Sequence, residues 1–221
     1  SVLDLRDRGL IGDEVLRDEA VRSPEALPLL EFALEELYKR RASDGTLGFA
    51  AYADIGGVEG ALAQRAETVF QSLPDATRNS LPLVLRKLIT ATTSGAGSFS
   101  RRSALLGDFP AGPQHDLVAA LTDARLCISE LGADARPVVS IAHEALLRHW
   151  PRVRDWLEAN RETLRAHGRL SVSAERWQQE GRRSDLLLAS GRPLDEAITV
   201  TEAGVDVTPT ERALIDASRA R

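Results

Sequence analysis

The stretch Val138-Val139-Ser140-Ile141-Ala142-His143-Glu144-Ala145-Leu146-Leu147-Arg148-His149-Trp150 constrains the fold more than any other part of the chain. Val138 to Ile141 is a short β-branched run, the composition of a strand. After it the apolar residues recur at helical spacing, and neither glycine nor proline intervenes. A strand therefore passes into a helix without a loop, and His143 stands on the junction. Upstream, Leu126 to Leu131 is a second β-prone run, separated from Pro137 to Ile141 by Gly132-Ala133-Asp134-Ala135-Arg136. That pattern predicts a β-hairpin.

Around this hairpin the chain reads as helices. Gly9 to Val21 is a short one, with Leu10, Val15 and Leu16 as its apolar residues. Ser23-Pro24 is a helix start, a capping hydroxyl followed by proline at the first helical position. Leu27, Leu30, Leu34 and Leu37 continue from it at helical spacing, Pro28 falls in the first turn, and Arg40 and Arg41 close the helix. Ala42 to Gly57 reads as a loop, and Val58 to Leu73 as a helix with Val58, Leu62, Ala66, Val69 and Leu73 on one face. Pro74 and Asp75 open the next helix, whose stripe is Leu81, Val84, Leu85, Leu88 and Ile89, with Pro82 marking its first full turn or a kink. Thr90 to Gly97 reads as a mobile loop, Ser98 to Ser103 as a short strand, Ala104 to Leu106 as a one-turn element, and Pro113 to Arg125 as a helix.

Beyond the hairpin the pattern stays helical. Pro151 restarts a helix at its own first turn, and Leu164, Leu170, Ala174 and Trp177 extend the apolar face to about Gly181. Two weaker helices follow, near Ser184 to Ser190 and Leu194 to Ala203. Thr208 and Glu211 stand at capping-box spacing at the start of a last one. The expected fold is thus mainly α. A small helical domain (1–73) precedes a winged-helix domain (74–149) whose hairpin is the wing, and a C-terminal helical extension (150–221) follows. Helix, short strand, helix, helix, hairpin is the order that carries the winged-helix reading.

Composition narrows the function classes. The chain has 221 residues, 43% hydrophobic and 28% charged, which suits a soluble globular protein with a proper core. A net charge of −5 argues against coating nucleic acid by bulk electrostatics. One cysteine, Cys127, permits no disulfide framework within the chain and fits a reducing, cytoplasmic setting. No apolar run reaches the length of a membrane span, and the start shows no signal-peptide pattern. The opening Ser1-Val2, without a methionine, reads as a piece cut from something longer.

Candidate chemistry is sparse. A phosphate-binding loop needs lysine after glycine, and neither Lys39 nor Lys87 follows one. No run of four apolar residues read as a strand ends in the acidic residue that would hold magnesium, so the chain alone is not expected to hydrolyse ATP. Cys127 and His143 could approach each other across the hairpin, but a small cysteine alternating with Leu126 and Ile128 on a strand reads as a packing residue. His115, His143, His149 and His167 lack metal-ligand spacing, so no catalytic and no metal-binding residue is assigned. Pro113 to Arg125 carries Asp116 and Asp123 against one terminal arginine, a poor complement to DNA. The arginines from Arg148 to Arg169 alternate with Asp155, Glu158 and Glu162, which reads as a solvated, salt-bridged face. His143 is the most informative single residue, because the helix start beside it offers backbone N–H groups and positive potential to an anion such as a nucleotide phosphate. That role requires a ring open to approach from outside.

Three stretches carry a family resemblance: Leu27-Pro28-Leu29-Leu30-Glu31-Phe32-Ala33-Leu34-Glu35-Glu36-Leu37, Ile55-Gly56-Gly57-Val58-Glu59-Gly60-Ala61-Leu62-Ala63, and Ile141-Ala142-His143-Glu144-Ala145-Leu146-Leu147-Arg148-His149-Trp150-Pro151. In this order they resemble bacterial STAND-type NTPases, above all the novel STAND class, often found ahead of WD40 repeats or behind a caspase-like protease. The resemblance runs from about Gly9 to Arg183. It implies a regulatory, signal-transducing module, helical domain plus winged helix, that follows a nucleotide-binding domain of the same protein and closes over ADP. By position, Pro28 matches a proline that lies against adenine in related switches, and His143 a histidine that meets the β-phosphate. Ala26 stands where those switches have glycine, and Ile141-Ala142-His143-Glu144 replaces their Met-His-Asp triplet. ADP or ATP is thus implied only together with a nucleotide-binding domain. Exchange for ATP would swing the module outward and expose a surface for protein partners or self-assembly. Two other readings of the residues stay open: a winged-helix DNA-binding regulator, and a helical scaffold for protein partners.

Overall fold

The computed structural model describes residues 26–41, 43, 47, 49–92 and 99–221, and the side chains of residues 26–32 and of Phe49 lie outside that description. The helix expected over Gly9 to Val21 and the Ser23-Pro24 start also lie outside the described residues. The described chain is mainly α, with small antiparallel sheets of two and three strands.

Helix α1 (Ala26–Lys39) is followed by α2 (Phe49–Asp54), α3 (Gly57–Gln71), α4 (Asp75–Asn79) and α5 (Leu81–Leu88). Helix α2 falls where the turn residues predict only loop. Its backbone turns because Tyr52 and Ile55 have a core to enter, a tertiary gain that local turn signals do not register. The helix expected to run on from Asp75 is broken at Ser80, since Pro82 at the second position of α5 lacks the N–H needed to continue from α4. The Ser80 hydroxyl donates to Pro113 O at 3.0 Å and fixes this corner on a later helix.

The chain then enters β1 (Ile89–Ala91), pairs back through β2 (Phe99–Arg101), and continues into β3 (Ala104–Leu105) and a 3-10 turn over Leu106–Asp108. Thr90 and Ala91, read as the start of a loop, are therefore strand residues, and residues 93–98 of that loop lie outside the described part. Helix α6 (Pro113–Asp123) leads to the hairpin of β4 (Cys127–Leu131) and β5 (Pro137–Ile141), as its turn residues predict. The sheet order is β3-β5-β4, so β5 is central and β4 lies at the edge.

From β5 the chain runs through α7 (Ala145–His149), α8 (Pro151–Ala159) and α9 (Arg161–Gln179). Pro151 does restart a helix, at the first position of α8. Residues 184–190, read as a weak helix, hold only a 3-10 turn over Ser184–Leu186 before α10 (Arg192–Glu202) and α11 (Pro209–Arg219). At the start of α11 Thr208 and Glu211 form the expected capping box.

Buried side chains fall into two clusters. One extends from Ala33 in α1 to Leu164 in α9 and encloses the helical and hairpin portions together. The other joins Leu170, Ala174 and Trp177 of α9 to Ala197, Val200, Val205, Leu214 and Ile215 of the C-terminal helices. Helix α9 thus belongs to both cores, with Leu164 in one and Leu170, Ala174 and Trp177 in the other. Close packing fixes its middle, where a Cβ on Gly168 would lie 3.3 Å from the Ala91 carbonyl oxygen of β1.

Candidate functional site

The three motif stretches meet on one helix. Helix α3 carries the second motif, packs against α1 on one side and against α7 on the other, and so brings the first and third motifs to itself. The glycines of the second motif explain how α3 begins. Gly56 and Gly57 have φ of 74° and 69°, a left-handed turn that side-chain-bearing residues adopt at a cost. One turn later Gly60 lies so close to the preceding loop that a Cβ there would sit 1.9 Å from the Ile55 carbonyl oxygen. These glycines serve close packing at a helix start.

On the α7 side, α3 presents two carboxylates. Glu59 Oε2 lies 2.7 Å from His149 Nε2. Glu67 accepts from Trp150 Nε1 at 3.0 Å and from both Nε and Nη2 of Arg152 at 2.8 Å. The Arg152 bonds come first among the causes that hold the Glu67 carboxyl down at about 2. Above this pair, Phe70 and Trp150 meet edge to face at 5.9 Å, and the Arg152 guanidinium lies 4.7 Å from the Phe70 ring centre. The sequence gives His149 no metal-ligand spacing, sets Arg152 on a salt-bridged face, and marks neither Glu59 nor Glu67 for a role. A usable signal existed in Glu59 and Glu67, two carboxylates eight residues apart on the same helix.

His143 lies at the end of this seam, after β5 and before α7. Arg101 of β2 donates to the carbonyl oxygens of Ile141 (3.1 Å) and Ala142 (2.5 Å), and the Ala142 N–H donates to Leu126 O at 2.9 Å. The backbone leading to the histidine is therefore clamped from both neighbouring segments. The helix behind it has only five residues, with Glu144 at its N-cap, so its dipole is slight. His143 itself is 7% exposed. An anion approaching from outside would meet no more than an edge of the residue in this conformation.

The other candidates resolve as follows. Pro28 lies in the first turn of α1, and its side chain is outside the described part. Cys127 is buried and its thiol is pushed up to about 12 by desolvation, which removes it from nucleophilic chemistry. Lys39 pairs with Glu35 and Glu36, and Lys87 with Asp206, so each lysine already faces carboxylates. Arg154 and Arg161 pair locally with Asp155 and Glu158, as the charge pattern predicts, whereas Arg152 and Arg169 reach Glu67 and Glu196 on other helices. Among the described residues no group of three His, Cys, Asp or Glu is placed to hold a metal ion, and no helix is long and apolar enough to cross a membrane. Among the described residues neither lysine is therefore left uncommitted to meet the phosphates of a nucleoside diphosphate.

A mainly α module whose three motif stretches stack through a single glycine-started helix is the class that fold and seam define. A family model for Novel STAND NTPase 1 matches residues 7–185, and the chain belongs to that family. The match covers the whole first core and stops inside the second. No curated protein and no solved structure matches the chain.

Proposed function

We propose that the chain is the regulatory module of a STAND NTPase, a unit that closes against a nucleotide-binding domain of the same protein and governs its assembly with partners. On this reading residues 74–149 are a winged helix: α4 and α5 stand for its first helix, β3 for the short strand, the 3-10 turn over Leu106–Asp108 and then α6 for the next two helices, and the β4–β5 hairpin for the wing, with the β1–β2 pair added after the first helix. The observation that carries the proposal is the convergence of the three family stretches on α3, with His143 at the end of their seam. A motif set needed only for general stability could be spread over the fold, whereas this one marks a single surface-to-core line from α1 to the β5–α7 junction. Binding of ADP or ATP is expected to depend on the other domain, with His143 and Pro28 as the residues this chain would contribute.

His143→Ala in the protein carrying its nucleotide-binding domain should speed ADP release by about tenfold, the loss of one charge-assisted hydrogen bond. Dissociation of a fluorescent ADP analogue measures it, and release at the unaltered rate sinks the nucleotide contact. The burial of His143 favours a second reading, a helical scaffold for protein partners in which that residue only packs. Unchanged ADP release together with a lowered melting temperature of His143→Ala selects the scaffold.

A further inference from the structure

The outer strand of the hairpin has an open hydrogen-bonding edge. The Gly132 N–H donates to Arg136 O at 2.9 Å at one end of the hairpin, and the Ala142 N–H to Leu126 O at 2.9 Å at the other. With Ile128 opposite Ser140 and Glu130 opposite Val138 between them, these bonds fix the phase of the ladder. In an antiparallel pair only alternate residues exchange bonds with the partner strand, and the others point their N–H and C=O groups the opposite way. The residues facing β5 are therefore 126, 128, 130 and 132, and Cys127, Ser129 and Leu131 direct theirs away from the sheet. Since the order is β3-β5-β4, no strand among the described residues lies on that side.

Edge strands are normally blunted by proline, lysine, a bulge or a covering segment. Cys127-Ile128-Ser129-Glu130-Leu131 has neither proline nor lysine and pairs without a bulge. It is exposed after Cys127, with Ile128 42% and Leu131 71% exposed. An open ladder edge flanked by uncovered apolar side chains is the form of a β-augmentation site.

We propose that the occupant is a second copy of this chain, paired antiparallel through β4 about a two-fold axis at Ser129. The edge is complementary to itself in that register: Ser129 meets Ser129 of the other copy, Cys127 meets Leu131 and Leu131 meets Cys127, all three being residues with outward-facing backbone groups. Ile128 then lies opposite Glu130, so no like charges face each other. A register centred one residue later would set Glu130 against Glu130, which is disfavoured. Pairing about Ser129 merges two three-stranded sheets into one and gives the exposed Leu131 a neighbour. A five-residue strand buries less than the about 1,200 Å² of a stable interface, so the chain alone forms a weak, concentration-dependent dimer. The inference rests on the hairpin geometry and is independent of any nucleotide contact.

Sedimentation of the 221-residue chain from about 10 µM to about 1 mM tests it. A monomer–dimer equilibrium is expected, strengthened by salt because each copy carries a net charge of −5. Ser129→Pro removes an outward N–H that makes no bond within the hairpin, and should weaken the dimer at least about tenfold while circular dichroism stays unchanged. Ser129→Cys supplies a check that needs no proline. Two such cysteines would face each other at the about 5.5 Å Cα separation of a bonded pair, close enough for a disulfide. Oxidation should link Ser129→Cys at least about tenfold faster than Asp134→Cys at the hairpin turn. A chain that stays monomeric throughout, a folded Ser129→Pro that dimerises as before, or equal cross-linking at both positions overturns the proposal.

Discussion

Glu211 does two jobs with one carboxylate. It closes the capping box at the start of α11, accepting from the Thr208 N–H at 2.7 Å, and it accepts from the Ser171 hydroxyl and lies 3.3 Å from His167 Nε2 on α9. The His167 and Glu211 side chains are 5% and 4% exposed, so the pair is screened from water. Burial on its own would raise the carboxyl, but the bonds from His167, Ser171 and Thr208 outweigh it and bring the value down to about 2. Because the folded value lies below the ordinary 4.5, this contribution is complete above about 4.5 and is lost as the pH falls toward about 2. Glu211→Gln should therefore cost about 3 kcal/mol near neutral pH and flatten the acid limb of the stability curve. Urea melts of both proteins between pH 7 and about 3 measure this, and parallel curves would rule it out. The capping box was legible from Thr208 and Glu211 alone. The bonds to His167 and Ser171 were not, since those residues are 44 and 40 positions away and only the packing of α9 against α11 brings them in.

Among the elements, local signals succeeded where their physical cause is local. The hairpin follows from two β-prone runs and the turn between them, and Pro151 and Pro113 each stand at a helix start because proline has no N–H to lose there. They failed at α2 and β1. The six residues of α2 precede the Gly56-Gly57 turn and are held by the burial of Tyr52 and Ile55 in the shared core. Strand β1 has three residues, and its pairing with β2 across residues 93–98 is decided by register, which no single window carries. The same distinction governs the candidate seam. His143 could be singled out from a strand-to-helix pattern, but its burial, and the clasp of Glu59 and Glu67 on His149, Trp150 and Arg152, depend on α3 lying beside α7. Helix α3 is held there by its first turn. Gly60→Ala should destabilise the protein by about 3 kcal/mol, because the new methyl group collides with backbone rather than with a movable side chain. Gly107→Ala, where a Cβ meets nothing within 4 Å, is the control and should stay within about 0.5 kcal/mol. Thermal melts of the two variants check the contrast, and equal melting temperatures would contradict the close approach.

At the scale of the whole molecule, two cores share one helix. The family match ends at residue 185, just after α9, so the second core combines the end of the matched region with α10 and α11 beyond it. Further ties cross between the units: Arg86 donates to Ala203 O at 2.8 Å, and Lys87 pairs with Asp206 at 3.2 Å. The smaller cluster buries fewer side chains than the larger, and its Leu214 is completely buried. Leu214→Ala should cost about 3 kcal/mol and open α10 and α11 before the rest. Hydrogen exchange would then accelerate over 192–219 and stay unchanged over α3 and β5, whereas uniform acceleration would mean a single cooperative unit.

Nineteen residues of unbroken helix amount to a rod of about 28 Å, anchored by Leu164 in one core and by Leu170, Ala174 and Trp177 in the other. Such a rod has no joint with which to absorb a twist. A tilt imposed on the terminal bundle, by whatever docks there, would reach Leu164 and the strands beside it as a tilt of the same angle. The orientation of one cluster is thus tied to that of the other along a single helix.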